Sequence, residues 1–104
     1  MLSLIVAVAE NGVIGRQDWY DLGGGESGYI APDPRDHNIV YAGSYTGYLT
    51  RFDKRSEQAQ EITVWPLEVS GRGAGELEHR FQWTEPVMLS PHDPDVLYTA
   101  GEMV

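Results

Sequence analysis

The chain has 104 residues, enough for one modest core, and carries 16 acidic against 7 basic residues for a formal charge of −9. That charge repels phosphate backbones and acidic bilayers, and no basic stripe offsets it, so no nucleic acid and no membrane is expected as a partner. The absence of cysteine excludes disulfides, thiolate nucleophiles and Cys-based zinc sites.

The opening run MLSLIVAVA is uniformly apolar and ends at Asn11-Gly12, a turn pair whose residues tolerate positive φ. It lacks a basic n-region and has about half the length of a signal peptide, so no leader is recognised and a strand buried on both faces is expected. No apolar run approaches the roughly 18 residues of a membrane span. From Asp18 to Asn38 glycines and prolines recur every few residues, which predicts loop. Residues 39–44 and 48–53 then read as two strands joined by a turn at Tyr45-Thr46-Gly47, a natural hairpin. Lys54-Arg55-Ser56-Glu57 is a polar turn, and 61–65 (EITVW) alternates as a third strand. A glycine-punctuated loop over 66–78 leads to three further short strands at 81–83, 86–89 and 96–98. Twelve glycines, six prolines and no helical periodicity indicate an all-β fold of antiparallel sheet.

One internal echo stands out. Pro34-Arg35-Asp36-His37-Asn38-Ile39-Val40-Tyr41 aligns with Pro91-His92-Asp93-Pro94-Asp95-Val96-Leu97-Tyr98 at an offset of 57 positions. Each copy is a proline- and aspartate-rich turn feeding an apolar strand that ends in tyrosine. Repeats of this kind mark stacked architectures, although blades of about 40–50 residues are more usual.

The segments WYDLGGGESGYIAPDPRDHNIVYAGSYTGYLTRFD, ITVWP, RFQWTEPVMLSPHDPDVLY and TAG follow one another in an order that resembles BNR/sortilin-type β-propeller repeat proteins. The resemblance covers residues 18–104 and implies about one four-stranded antiparallel blade plus the start of the next. It implies a binding or scaffold module with no independent catalysis and no cofactor; a glycoside-hydrolase-like activity is the alternative by family analogy. A lone blade has open sheet edges, so self-association is expected, together with a protein or carbohydrate ligand. Residues 1–16 resemble something else: MLSLIVAVAENGVIGR is similar to the first strand and loop of dihydrofolate reductases. That resemblance would place Ile5, Ala7 and Ile14 beside a pterin and NADPH, and it makes an NADPH-dependent dihydrofolate reductase a second alternative function. The Leu-Pro-Trp or Met-Pro-Trp segment of that family is missing, as is the rest of its site. Two resemblances meeting near Gln17 imply a joined chain, with a dihydrofolate-reductase-like segment over 1–17 and a partial propeller over 18–104.

Several motifs suggest chemistry and read better as turns. Gly23-Gly24-Gly25-Glu26-Ser27-Gly28 satisfies G-x-G-x-x-G, but Tyr29-Ile30-Ala31-Pro32 cannot open the helix on which a pyrophosphate would rest. Glu26, Asp33 and Asp36 lack the ligand spacing of a calcium loop, and aspartate beside proline favours hydrogen bonds to its own backbone. His37, His79 and His92 are scattered without helical metal spacing. Among the aromatics, Tyr45 and Tyr48, flanking the hairpin turn, are the candidates for ligand stacking.

Overall fold

The computed structural model describes residues 20–26, 28–65 and 71–102, and within them the protein is antiparallel β-structure in two sheets. The first sheet is a four-stranded meander of β1 (Ile30–Pro32), β2 (Ile39–Gly43), β3 (Leu49–Asp53) and β4 (Gln58–Glu61), in that order. The second pairs β5 (Val87–Leu89) with β6 (Leu97–Thr99). A short 3-10 turn at Ala74–Glu76 interrupts the loop between them. The reductase-like strand and its Ile5, Ala7 and Ile14 lie outside the described residues.

Strand β2, with its run of Ile39, Val40, Tyr41 and Ala42, is central and is buried on both faces. Its pairing with β3 sets Tyr41 opposite Arg51 and Val40 opposite Phe52, so side chains divide cleanly between two faces. Ala31, Tyr41 and Leu49 point to one face, where they pack with Val87, Leu89 and Leu97 of the second sheet. Phe52 and Thr50 point to the other, which the segment from Tyr20 to Glu26 crosses. There the rings of Tyr20 and Phe52 lie 5.7 Å apart, and the Thr50 hydroxyl donates to the Leu22 carbonyl at 2.6 Å.

The turns form by local chemistry. Between β2 and β3, Thr46 (φ 48°) and Gly47 (φ 90°) both occupy the left-handed region, and the Tyr48 N–H donates to the Tyr45 carbonyl. Two successive positive φ values match the right-handed twist of the flanking strands, which is why a glycine is placed here. Between β1 and β2, Asp33 accepts from the Arg35 N–H at 2.8 Å and Asp36 from the Asn38 N–H at 3.1 Å. Between β3 and β4, Asp53 accepts from the Arg55 N–H at 2.9 Å. All three aspartates are thus turn-formers.

The sequence echo is a structural repeat. β1 pairs with β2 through Ile30–Ala42, Ala31–Tyr41 and Pro32–Val40; β5 pairs with β6 through Val87–Thr99, Met88–Tyr98 and Leu89–Leu97, the same register 57 positions on. Loop bonds repeat as well. Asp33 N–H to the Ile39 carbonyl corresponds to Ser90 N–H to the Val96 carbonyl, and Ile39 N–H to Asp36 corresponds to Val96 N–H to Asp93. Ser90 takes the place of Asp33, its hydroxyl accepting from the His92 N–H at 3.2 Å. The two turns are tied together by Arg35, which bonds Asp33 at 3.1 Å, the Pro94 carbonyl at 3.0 Å and Asp95 at 2.5 Å. Those bonds from Arg35 hold the Asp33 carboxyl below the usual carboxylate range.

Three expected elements shift. The third strand is Gln58–Glu61 and not 61–65, because the Asp53-to-Gln58 turn sets the register with β3. The pairing fades after it: Ile62 N–H still donates to Leu49, and Leu49 N–H to the Thr63 hydroxyl. Residues 81–83 form only a single bridge, Phe81 to Gly101. The stretch expected as loop contains β1, whose proline-bearing strand sits at a sheet edge, where a missing N–H costs no ladder bond.

Glu85 is the most deeply enclosed carboxylate among the described residues, at 1% exposure, and unlike the buried Asp33 it has no basic partner. Neither of its carboxyl oxygens, nor the Thr99 hydroxyl, has a hydrogen-bond partner. Burial pushes its pKa up, and the nearby Thr99 hydroxyl offsets this only in part without reaching bonding geometry. A folded-state pKa above the unfolded one makes the native state strongest below the unfolded value of about 4.5 and weaker as pH rises through the folded value. Glu85→Gln removes the ionisation and keeps the shape. Thermal melts from pH 4 to 8 are expected to show nearly equal midpoints at pH 4 and a widening advantage for the variant above it, by about 4–8 °C for each kcal/mol. Parallel curves for the two proteins across that range would contradict this account of Glu85.

Candidate functional site: an aromatic row at the repeat junction

The β2–β3 hairpin turn carries Tyr45 and Tyr48 on either side of Thr46-Gly47, and their rings stack at 6.3 Å with only 12° between planes. Trp83 continues the row, 5.8 Å from Tyr45 at 30°. The residue reaches this place from the loop before β5, and its backbone carbonyl accepts from the Thr46 N–H at 3.3 Å. Its indole N–H donates to Glu26 Oε2 at 2.5 Å.

Glu26 is itself fixed. Its N–H donates to the Ser44 hydroxyl and its carbonyl accepts from the same hydroxyl, both at 3.1 Å, and Ser44 is buried at the end of β2. Thus three loops converge on one place: the glycine segment, the hairpin turn and the approach to β5. Glu26 and Trp83 also occupy equivalent positions of the two repeats, 57 residues apart.

The glycines serve close approach. Gly23 and Gly24 have φ of 87° and 79°, conformations that L side chains rarely adopt, and a Cβ on Gly24 would fall 2.6 Å from Ser44 Cβ. A Cβ on Gly25 would touch Tyr45 at 3.4 Å, and one on Gly28 would fall on the Gly43 carbonyl. The segment therefore lies flat against the sheet and the tyrosines. Beside it opens a cleft of about 300 Å³, lined by Tyr20, Gly23–Glu26 and Gly28 on one side and Ile30, Ala42 and Gly43 on the other. Its lining is mainly apolar and includes two acidic residues, Asp21 and Glu26, with no helix N-terminus behind it, so the glycine motif is a packing device here and not a phosphate cradle.

A smaller cleft of about 180 Å³ lies between Trp65, His79, Phe81 and Glu102. Trp65 meets the His79 ring edge-on at 4.7 Å, and His79 Nδ1 lies 3.1 Å from Glu102. Bonds from the Arg80 N–H and from His79 hold the Glu102 carboxyl below its usual range. His37 and His92 are exposed turn residues that do not line it, and among the described residues no three His, Asp or Glu side chains gather as a metal group.

Of the residues singled out from sequence, Tyr45 and Tyr48 come together in this row. Trp83 and Glu26 were not paired with them, because nothing local links positions so far apart. The repeat offset was the available signal, since it maps Glu26 onto Trp83. No family model, curated protein or solved structure matches the chain.

Proposed function

We propose that the chain is a repeat-built binding or scaffold module of the BNR/sortilin β-propeller type, without catalysis of its own. The observation that carries this reading is the repetition of strand register and turn bonds between β1–β2 and β5–β6, together with face-to-face packing of the two sheets. The carboxylates support the non-catalytic part. Asp33, Asp36 and Asp53 are spent on their own turns, each held ionised by neighbouring donors, and Glu85 is enclosed away from solvent.

The self-association proposed for open edges is assigned to β6. In the first sheet β2 has a neighbour on each side, whereas its counterpart β6 pairs only with β5 among the described residues. Beside that unpaired edge Met88 and Tyr98 present exposed apolar surface. Size-exclusion chromatography with light scattering is expected to show dimers or larger species, and the double variant Met88→Lys/Tyr98→Lys to return the monomer. A sharply monomeric, cooperatively melting wild-type protein would count against an open repeat module.

A further inference from the structure

We infer that the row of Trp83, Tyr45 and Tyr48, with the Glu26 carboxylate beside it, is a binding site for a neutral oligosaccharide. The inference rests on the binding-module reading and names the ligand class for it.

Trp83 is 59% exposed, which is unusual for a large aromatic tied down at three points. Its carbonyl is held by Thr46, its indole N–H by Glu26, and one side of its ring by Tyr45. It therefore cannot fold inward to hide its surface. A rigid, open indole loses little conformational entropy on binding, the condition under which an aromatic becomes an effective anchor.

The shape of the row selects among ligands. Neighbouring rings lie at 12° and 30° to one another with centroids 6.3 and 5.8 Å apart, packed against each other without an open space enclosed between them. A box of facing rings would suit a quaternary ammonium; an end-on row offers a single ring face instead. The C–H face of a pyranose fits that surface. Its hydroxyls, which lie around the rim of the sugar, then need acceptors at the edge of the ring. Glu26 supplies one: Oε2 is engaged by the indole, and no bond to Oε1 is made among the described residues. The same indole bond holds the carboxylate at the edge of the ring, where it would accept a sugar hydroxyl. The net charge of −9 disfavours uronic and sialic acids, leaving neutral sugars. The cleft under the glycine segment, which shares Glu26 and Gly25 with this site, gives room for a second sugar unit.

The test follows the indole N–H signals of 15N-tryptophan-labelled protein during titration with cellotetraose, xylotetraose and mannotetraose, and separately with sialyllactose and choline. At least one neutral sugar is expected to shift the Trp83 signal saturably while the Trp65 signal stays in place. Trp83→Ala should weaken that binding by at least about tenfold and Glu26→Gln by a smaller factor, whereas Trp65→Ala should leave it unchanged. Glu26→Gln keeps the shape and reports even where Trp83→Ala loses the fold. The inference is overturned by no response to any neutral sugar at about 10 mM, by a response that Glu26→Gln and Trp83→Ala leave intact, or by a response to choline or sialyllactose alone. Association through β6 is read separately by light scattering, so loss of the sugar site would leave the scaffold reading standing.

Discussion

Leu49→Ala is expected to destabilise the protein by about 2–5 kcal/mol, measured by urea denaturation. Leu49 is 2% exposed and sits in the cluster where the first sheet meets the second, against Ala31 and Val87. Truncation removes burial energy and leaves a cavity that the surrounding strands cannot readily fill, because β3 is held on both sides by ladder bonds. Native stabilities of about 5–15 kcal/mol make such a loss a large fraction of the whole. The damage should also be directional. The cavity opens between the sheets, so the β5–β6 hairpin should become the first site of proteolytic cleavage, ahead of the β2–β3 turn. A variant as stable as the parent, or one cleaved first at the β2–β3 turn, would show that the two sheets are not coupled through this cluster.

Phe52→Ala is expected to cost about 3–5 kcal/mol, with a different consequence. Phe52 is equally buried but lies on the opposite face, under Tyr20. Its removal takes away the surface on which the Tyr20-to-Glu26 segment rests, leaving the Thr50–Leu22 bond and the Ser44 bonds to Glu26 to hold it. Glu26 should then restrain Trp83 less well. Tryptophan fluorescence of the folded variant is expected to shift and to become more accessible to acrylamide, by more than in Leu49→Ala, where Glu26 keeps its hold on the indole. An unaltered Trp83 environment in folded Phe52→Ala would mean that the glycine segment is held from elsewhere.

How much of this was legible in the sequence depends on the range of the interactions. The aspartate turns were readable because a side-chain oxygen reaching an N–H two residues on is a local event, decided by Asp33-Pro34-Arg35 and Asp36-His37-Asn38 themselves. The β2–β3 hairpin was readable from Thr46-Gly47 and the apolar runs beside it. EITVW has the better alternation, yet register is counted from the turn, and the turn delivers Gln58, Ala59, Gln60 and Glu61, a mostly polar stretch, to β3. β1 was hidden by its own proline, and an edge position is where such a strand is tolerated. In the aromatic row, Tyr45 and Tyr48 share one turn and could be seen together. Their link to Trp83 and Glu26 needed the packing of two repeats, which no short-range pattern encodes.

The two sheets meet in a way that has a direction. The first sheet contributes the face bearing Ala31 and Tyr41, and the second contributes the face bearing Val87, Leu89 and Leu97. Under the 57-residue correspondence, Met88 and Tyr98 stand where Ala31 and Tyr41 stand, so the surface that receives a neighbour in the first repeat is presented outward in the second. Contacts between unlike faces are heterologous: a two-fold axis does not satisfy them. Successive units added by the same step would advance with one handedness, and only the rotation per step decides whether they meet their own beginning or run on as a fibre.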